Sequence, residues 1–270
     1  MRGITPRTLI IGVAVIGCSI MARAVYAQEK PFQFTITAPS STEHGATVDY
    51  GVGVGEHDFV SGVERGVEQQ VNLQADLTRG LRFVGGFSVA LDQEPNGTSS
   101  SAHAELLVNV LHAQQGRSNL AVGGGILHEY TGIDVLRGRI AAGHDFAGSR
   151  LHANLLFEHP LGNSTSVVPR DSLDLITSVG WMVQATPALH VGVEAIGEDL
   201  EGFWEAEEAE GGARLLIGPS LYVQPPGRHW RLGVSGGPVI RATRSDLQSG
   251  APRDLPSGGF AIRTSLGYLF

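Results

Sequence analysis

From residue 47 onward the chain alternates apolar and polar positions with a period of two, and it does so in twelve separate stretches. Residues 47–55 set Val48, Tyr50, Val52 and Val54 against Asp49, Gly51 and Gly53. Residues 67–78 set Val71, Leu73, Ala75 and Leu77 against Gln70, Asn72, Gln74 and Asp76. Successive side chains of a strand point to opposite faces, so each stretch predicts a strand with one apolar face. Residues 81–91 follow the second stretch across Thr78-Arg79-Gly80 and complete a hairpin. The pattern repeats over 102–113 with 118–129, 133–145 with 150–158, 173–185 with 188–198, and 212–224 with 229–240. Residues 258–270 form a twelfth strand, with Phe260, Ile262, Thr264, Leu266, Tyr268 and Phe270 on one face and Ala261, Arg263, Ser265 and Gly267 on the other.

The links between these stretches also alternate. Five are two to four residues long, whereas 56–66, 92–101, 160–172, 199–211 and 241–257 are long; Tyr130-Thr131-Gly132 is short where a long link is expected. Two all-β architectures give alternating strands: a soluble sandwich and a membrane barrel. Lipid demands an outer face free of charge and a closed sheet with every backbone group paired. Along the last five strands the apolar face runs through Leu173, Leu175, Val179, Trp181, Val183, Leu189, Val191, Val193, Leu215, Ile217, Leu221, Val223, Trp230, Leu232 and Val234 into the terminal strand without a charge. The terminal strand resembles the C-terminal strand of bacterial outer-membrane β-barrel proteins, which ends in Phe. The resemblance implies a transmembrane antiparallel up-and-down barrel of about twelve strands with both termini periplasmic. It also implies a monomer in the outer membrane, in contact with outer-membrane lipids and lipopolysaccharide. Phe260, Ile262, Leu266, Tyr268 and Phe270 would be the signal read by the outer-membrane assembly machinery.

The N-terminal region reads differently. Arg2 and Arg7 precede an apolar run from Leu9 to Ala22, and Val25-Tyr26-Ala27 supplies small residues for cleavage. The expected organisation is a signal peptide over 1–27, a short periplasmic segment over 28–45 and the barrel over 46–270. Lipidation at Cys18 is the competing reading of the leader. With cleavage after Ala27 the exported chain holds no cysteine, hence no disulfide or thiolate metal site. No stretch after the leader has the eighteen or so apolar residues of a membrane helix. Loss of Arg2, Arg7 and Arg23 leaves sixteen basic and twenty-seven acidic residues, a formal charge of −11, which argues against a nucleic-acid partner. Many of the 37 glycines sit inside the alternating stretches instead of collecting in a linker, which suits curved strands.

Parity assigns an inner face charged in both signs: Asp49, Asp76, Arg82, His103, Glu105, Arg137, Arg139, His152, Glu158, Asp174, His190, Glu194, Arg214, Arg231 and Arg263. A twelve-stranded barrel lies between those filled by side chains and those holding an aqueous channel. Two readings of this lining stand side by side. In one, Arg137, Arg139, Arg214, Arg231 and Arg263 face acids across an eyelet and select solutes or cations by charge; in the other, the charges pair and fill the barrel. The corresponding functions are a narrow passive channel or transport-associated barrel for small solutes, and a non-conducting anchoring or adhesion barrel in an envelope complex.

An outer-membrane lipid or peptide hydrolase is a third reading. Outer-membrane phospholipases resemble this chain in strand count and use a Ser–His–Asn set; His152 and Asn154 are present, but no suitably placed serine is on that stretch. Gly233-Val234-Ser235-Gly236-Gly237 matches a nucleophile elbow, which requires a strand, sharp turn and helix that the alternation around Ser235 denies. No catalytic residue and no cofactor are expected. His103 with Glu105, and His152 with Glu158, are the inward acid–base pairs to test, and Glu205, Glu207, Glu208 and Glu210 in the acidic link make a cation-binding candidate.

Overall fold

The alternating stretches become twelve antiparallel strands closed into a single barrel, seen in a computed structural model. It describes residues 32–38, 45–56, 65–78, 80–92, 98–111, 118–130, 132–146, 148–161, 173–203, 213–242 and 259–270. The strands are β1 (Ala46–Glu56), β2 (Arg65–Thr78), β3 (Leu81–Asp92), β4 (Thr98–Leu111), β5 (Ser118–His128) and β6 (Asp134–Phe146), followed by β7 (Ser149–Leu161), β8 (Asp174–Thr186), β9 (Leu189–Glu198), β10 (Ala213–Val223), β11 (Trp230–Ala242) and β12 (Gly259–Leu269). Each pairs with its sequence neighbours, and β1 pairs with β12 to close the ring. Closure leaves no sheet edge, which is what lets a sheet stand in hydrocarbon. The expected leader over 1–27 and the acidic cluster at Glu205, Glu207, Glu208 and Glu210 lie outside the described residues.

The period of two sorts the side chains as parity expects. On β12, Leu266 is 56% exposed and Arg263 5% exposed, three positions apart. The outer belt runs through Tyr50, Val71, Phe87, Leu106, Val122, Ile140, Leu155, Trp181, Val193, Ile217, Leu232 and Ile262. On the inner face stand the buried polar side chains, including Asp49, Glu68, Arg82, Glu105 and Arg139. The usual relation of core to surface is thus inverted. A soluble protein with this outside would expose a continuous apolar surface to water, whereas lipid makes it the favourable face.

The tight links follow local chemistry. Gly80 and Gly148 adopt φ of 84° and 80° in the β2–β3 and β6–β7 turns, a conformation that costs glycine nothing. In the β8–β9 turn the Thr186 hydroxyl oxygen accepts the amides of Ala188 and Leu189 at 3.3 and 3.1 Å. The short β5–β6 link is closed by Gly132 donating to the carbonyl of Glu129 at 2.9 Å. At the other end of the barrel the final residue is secured: Phe270 donates its amide to the Ala46 carbonyl at 2.9 Å and Leu269 donates to that of His229 at 2.7 Å.

A segment crossing the lumen

Residues 32–38 belong to the segment expected to lie in the periplasm, yet they run inside the barrel. Phe32, Thr35, Thr37 and Ala38 are buried, at 0, 0, 2 and 0% exposure. Phe32 packs with Met182 of β8 and Tyr222 of β10, while Ala38 packs with Ala121 of β5 and Ala141 of β6. The segment therefore crosses the lumen from one wall to another. Between those ends Phe34 rests on Ile196, Leu216, Val239 and Ala261. The physical reason is that Phe32, Phe34 and Ile36 alternate with Gln33, Thr35 and Thr37, so an extended chain offers apolar and polar contacts in turn.

The wall meets this segment through its main chain. The Glu194 carboxylate accepts the amides of Gln33 and Phe34 at 3.0 Å each and of Thr35 at 3.3 Å, and the Ser220 hydroxyl donates to it at 3.1 Å. Arg82 donates to the carbonyl of Thr37 at 2.9 Å, and the Asn154 side chain donates to that of Ile36 at 3.1 Å. The wall also recedes where it must. A Cβ at Gly180 would strike the Phe32 ring, and one at Gly233 would strike the side-chain amide of Gln33, so glycine at these positions makes room for the segment.

Charges on the inner face form ion pairs. Arg82 pairs with Asp76 at 2.7 Å, and Arg139 binds Glu105 through two nitrogens at 2.7 and 3.0 Å. Arg137 bridges Glu105 and Glu158 at 3.3 and 2.6 Å. Arg214 meets Glu198 at 2.6 Å, Arg231 meets Asp49 at 2.6 Å, and Arg263 meets Glu68 at 2.9 Å. Such pairing is the form in which charges persist away from bulk water. Arg263 also lies 5.1 Å over the Phe34 ring, which links the ionic lining to the crossing segment.

All fifteen residues expected on the inner face take part in this interior, in different surroundings. Asp174 is buried at the start of β8, opposite Glu158 in register, and His190 lies edge-on to Tyr222 at 5.7 Å. His103 lines an interior cavity of about 330 Å3 together with Arg137, Arg139, Arg214 and Arg263, and Gln33, Phe34 and Ile36 form part of its wall. Ser101, Glu129, Tyr130, Glu158 and Glu198 line it too, and they stand near the ends of strands that lead into the long-link side. Glu68 and Glu198 share the inward parity, but the sequence reading omitted them. Tyr130 was missed as well: its hydroxyl donates to Glu68 at 3.0 Å and lies 2.5 Å from Ser88.

The acid–base pairs inferred from sequence separate in space or in partnership. His152 packs its ring 5.3 Å from that of Phe32, while Glu158, six residues further along the same strand, is engaged by Arg137. Six strand residues span about 20 Å. Glu105 keeps His103 within electrostatic reach but is bound by two arginines, Arg137 and Arg139. Asn154, the one residue matching a phospholipase set beside His152, is occupied by the Ile36 carbonyl. Ser235 lies within β11 and is buried, so no elbow presents it. Among the described residues no group of three or more His, Cys, Asp or Glu side chains is placed to hold a metal ion.

No family model matches the chain, and no curated protein matches it. Solved structures do. The NanC porin superposes with a TM-score of 0.57 at 7% identity, covering 82% of this chain and 98% of the porin. The KdgM porin, solved in complex with disordered oligogalacturonate, superposes with a TM-score of 0.51 at 8% identity, again covering 82% and 98%. At such identities the likeness is one of fold. Together with the closed ring and its apolar exterior, it shows that this twelve-stranded antiparallel barrel shares its fold with outer-membrane β-barrel porins.

Proposed function

We propose that the protein is an outer-membrane barrel acting as a narrow passive channel for small solutes, held in a restricted state by residues 32–38. The observation that carries this reading is the polar cavity of about 330 Å3 inside a closed barrel, partly walled by the crossing segment. A barrel that served only as an anchor would have no need of such a space. The fold shared with two porins supports the same direction. Paired arginines and acids give a lining with fixed dipoles and little free charge, suited to small hydrated solutes more than to one ion of a given sign.

Liposomes containing the purified full chain test this. Small neutral solutes such as glycerol or a pentose should enter and swell them, with rates falling steeply for larger sugars. The same ionic pairing also favours a second reading, a non-conducting barrel whose interior is filled by its own groups. Liposomes that admit no solute, both with the native chain and with Phe32→Asp, would establish that second reading and overturn the first.

A further inference from the structure

We propose that the lumen contains a peptide-binding site and that residues 32–38 are its resident ligand, bound in cis. The ligand class is an extended, uncharged peptide with aromatic residues two positions apart. This assignment rests on interior geometry and stands whether or not the lumen conducts.

The segment is not a strand of the barrel, since every described strand already pairs on both sides with another. Its polar anchors nevertheless act on its backbone in both directions. Glu194 collects three successive amides, and Asn154 and Arg82 donate to the carbonyls of Ile36 and Thr37. Extended peptides are commonly recognised in this way, with main-chain hydrogen bonds supplying affinity and pockets for alternate side chains supplying selectivity. Here the pockets are the Gly180 notch with Met182 and Tyr222 for Phe32, and the Arg263 guanidinium with Leu216 and Ile196 for Phe34.

Glu194 gives the site its need for an occupant. It is fully buried, and its hydrogen-bond donors include three successive amides of the segment together with the wall hydroxyls of Ser220 and Ser235. Withdrawal of the segment would leave this buried carboxylate with hydroxyl donors alone and three amide bonds unmade, which is strongly unfavourable. A lumen from which residues 32–38 have withdrawn therefore presents a preformed acceptor to any extended chain that brings successive amides. The same contacts can then be made in trans.

The test uses the full chain carrying Phe32→Asp and Phe34→Asp, which places two carboxylates where the pockets are apolar and keeps the resident segment out. A fluorescent nine-residue peptide of native sequence 31–39 is titrated against it, with anisotropy as the readout and folded-barrel migration on gels as the control. Saturable binding is expected, at least tenfold tighter than to the native chain, whose site is occupied, and at least tenfold weaker when Glu194→Gln is added. If the double variant does not fold, Phe32→Cys with Gly180→Cys in the otherwise native chain replaces it. Those two positions should cross-link under mild oxidation, and excess peptide should slow the reaction several-fold. A folded variant that binds no peptide, equal binding of a scrambled peptide, indifference to Glu194→Gln, or a cross-linking rate that peptide leaves unchanged would each overturn the proposal.

Discussion

Arg263 on β12 and Glu68 on β2 form an ion pair at 2.9 Å across β1, the strand that lies between theirs. Arg231 on β11 and Asp49 on β1 do the same across β12 at 2.6 Å. Two buried pairs thus straddle the seam where the ring closes. Main-chain pairing alone would join β1 to β12, but these side chains tie the strands on either side as well. Removing one partner of a buried pair leaves an uncompensated charge, at a cost of about 3–5 kcal/mol. Glu68→Gln should therefore lower unfolding stability in detergent by that order, and Glu68→Gln with Arg263→Met should recover a large part of the loss. Equal losses in the single and double variants would show that the pair does not act as a unit.

Leu266 tests the outer face. It is more than half exposed on β12, opposite Tyr50 on β1 and Leu232 on β11, both also exposed. Leu266→Arg should cost about 2–4 kcal/mol of folding stability in lipid near mid-membrane. The same substitution should matter far less in a soluble sandwich's solvent face. Unfolding titrations in lipid vesicles read the difference directly, and tolerance of Leu266→Arg equal to that of a loop substitution would contradict the lipid-facing assignment.

Gly180 tests the fit of the crossing segment without altering that segment. A side chain at this inward position meets the Phe32 ring, whereas the exterior beside it is unchanged. Gly180→Val should therefore leave barrel assembly intact and expose residues 32–38 to protease added to the purified protein. Rapid cleavage near Phe32 in the variant and protection in the native chain are expected; identical protection would mean that the notch is not what seats the ring.

Tyr130 tests the one short link on the long-link side. Its hydroxyl reaches Glu68 and Ser88, and Ser88 lies 2.8 Å from Ser101. Tyr130→Phe removes a hydrogen bond to a charged group, worth about 1.5–3 kcal/mol. Hydrogen exchange at Glu129 and Gly132 should accelerate, while that at the middle of β5 stays unchanged.

Much of the barrel was legible because its signal is periodic. Val71, Leu73, Ala75 and Leu77 against Gln70, Asn72, Gln74 and Asp76 fix both a strand and its two faces, and β2 follows that division at exposed Val71 and Leu77 and buried Gln74, while the small Ala75 is covered by its neighbours. The inward placement of Arg231 and Arg263 followed from the same parity. Their partners did not, because parity says which face a residue occupies and nothing about which distant strand comes near it. Glu68 and Asp49 meet their arginines only after closure sets the register. The crossing segment was hidden for another reason. Phe32, Phe34 and Ile36 show a strand's alternation, but the segment has no ladder partner and is held by Glu194, more than 150 residues away in sequence. A local pattern carries no trace of that contact.

Planar-bilayer recording compares the central claim with its opposite most directly. The purified full chain is measured beside the Phe32→Asp, Phe34→Asp variant under the same voltage and salt. A channel restricted by residues 32–38 should give small or infrequent openings in the native chain and larger, longer ones in the variant. Silence from both proteins, each inserted and folded, would contradict the account of the barrel as a channel.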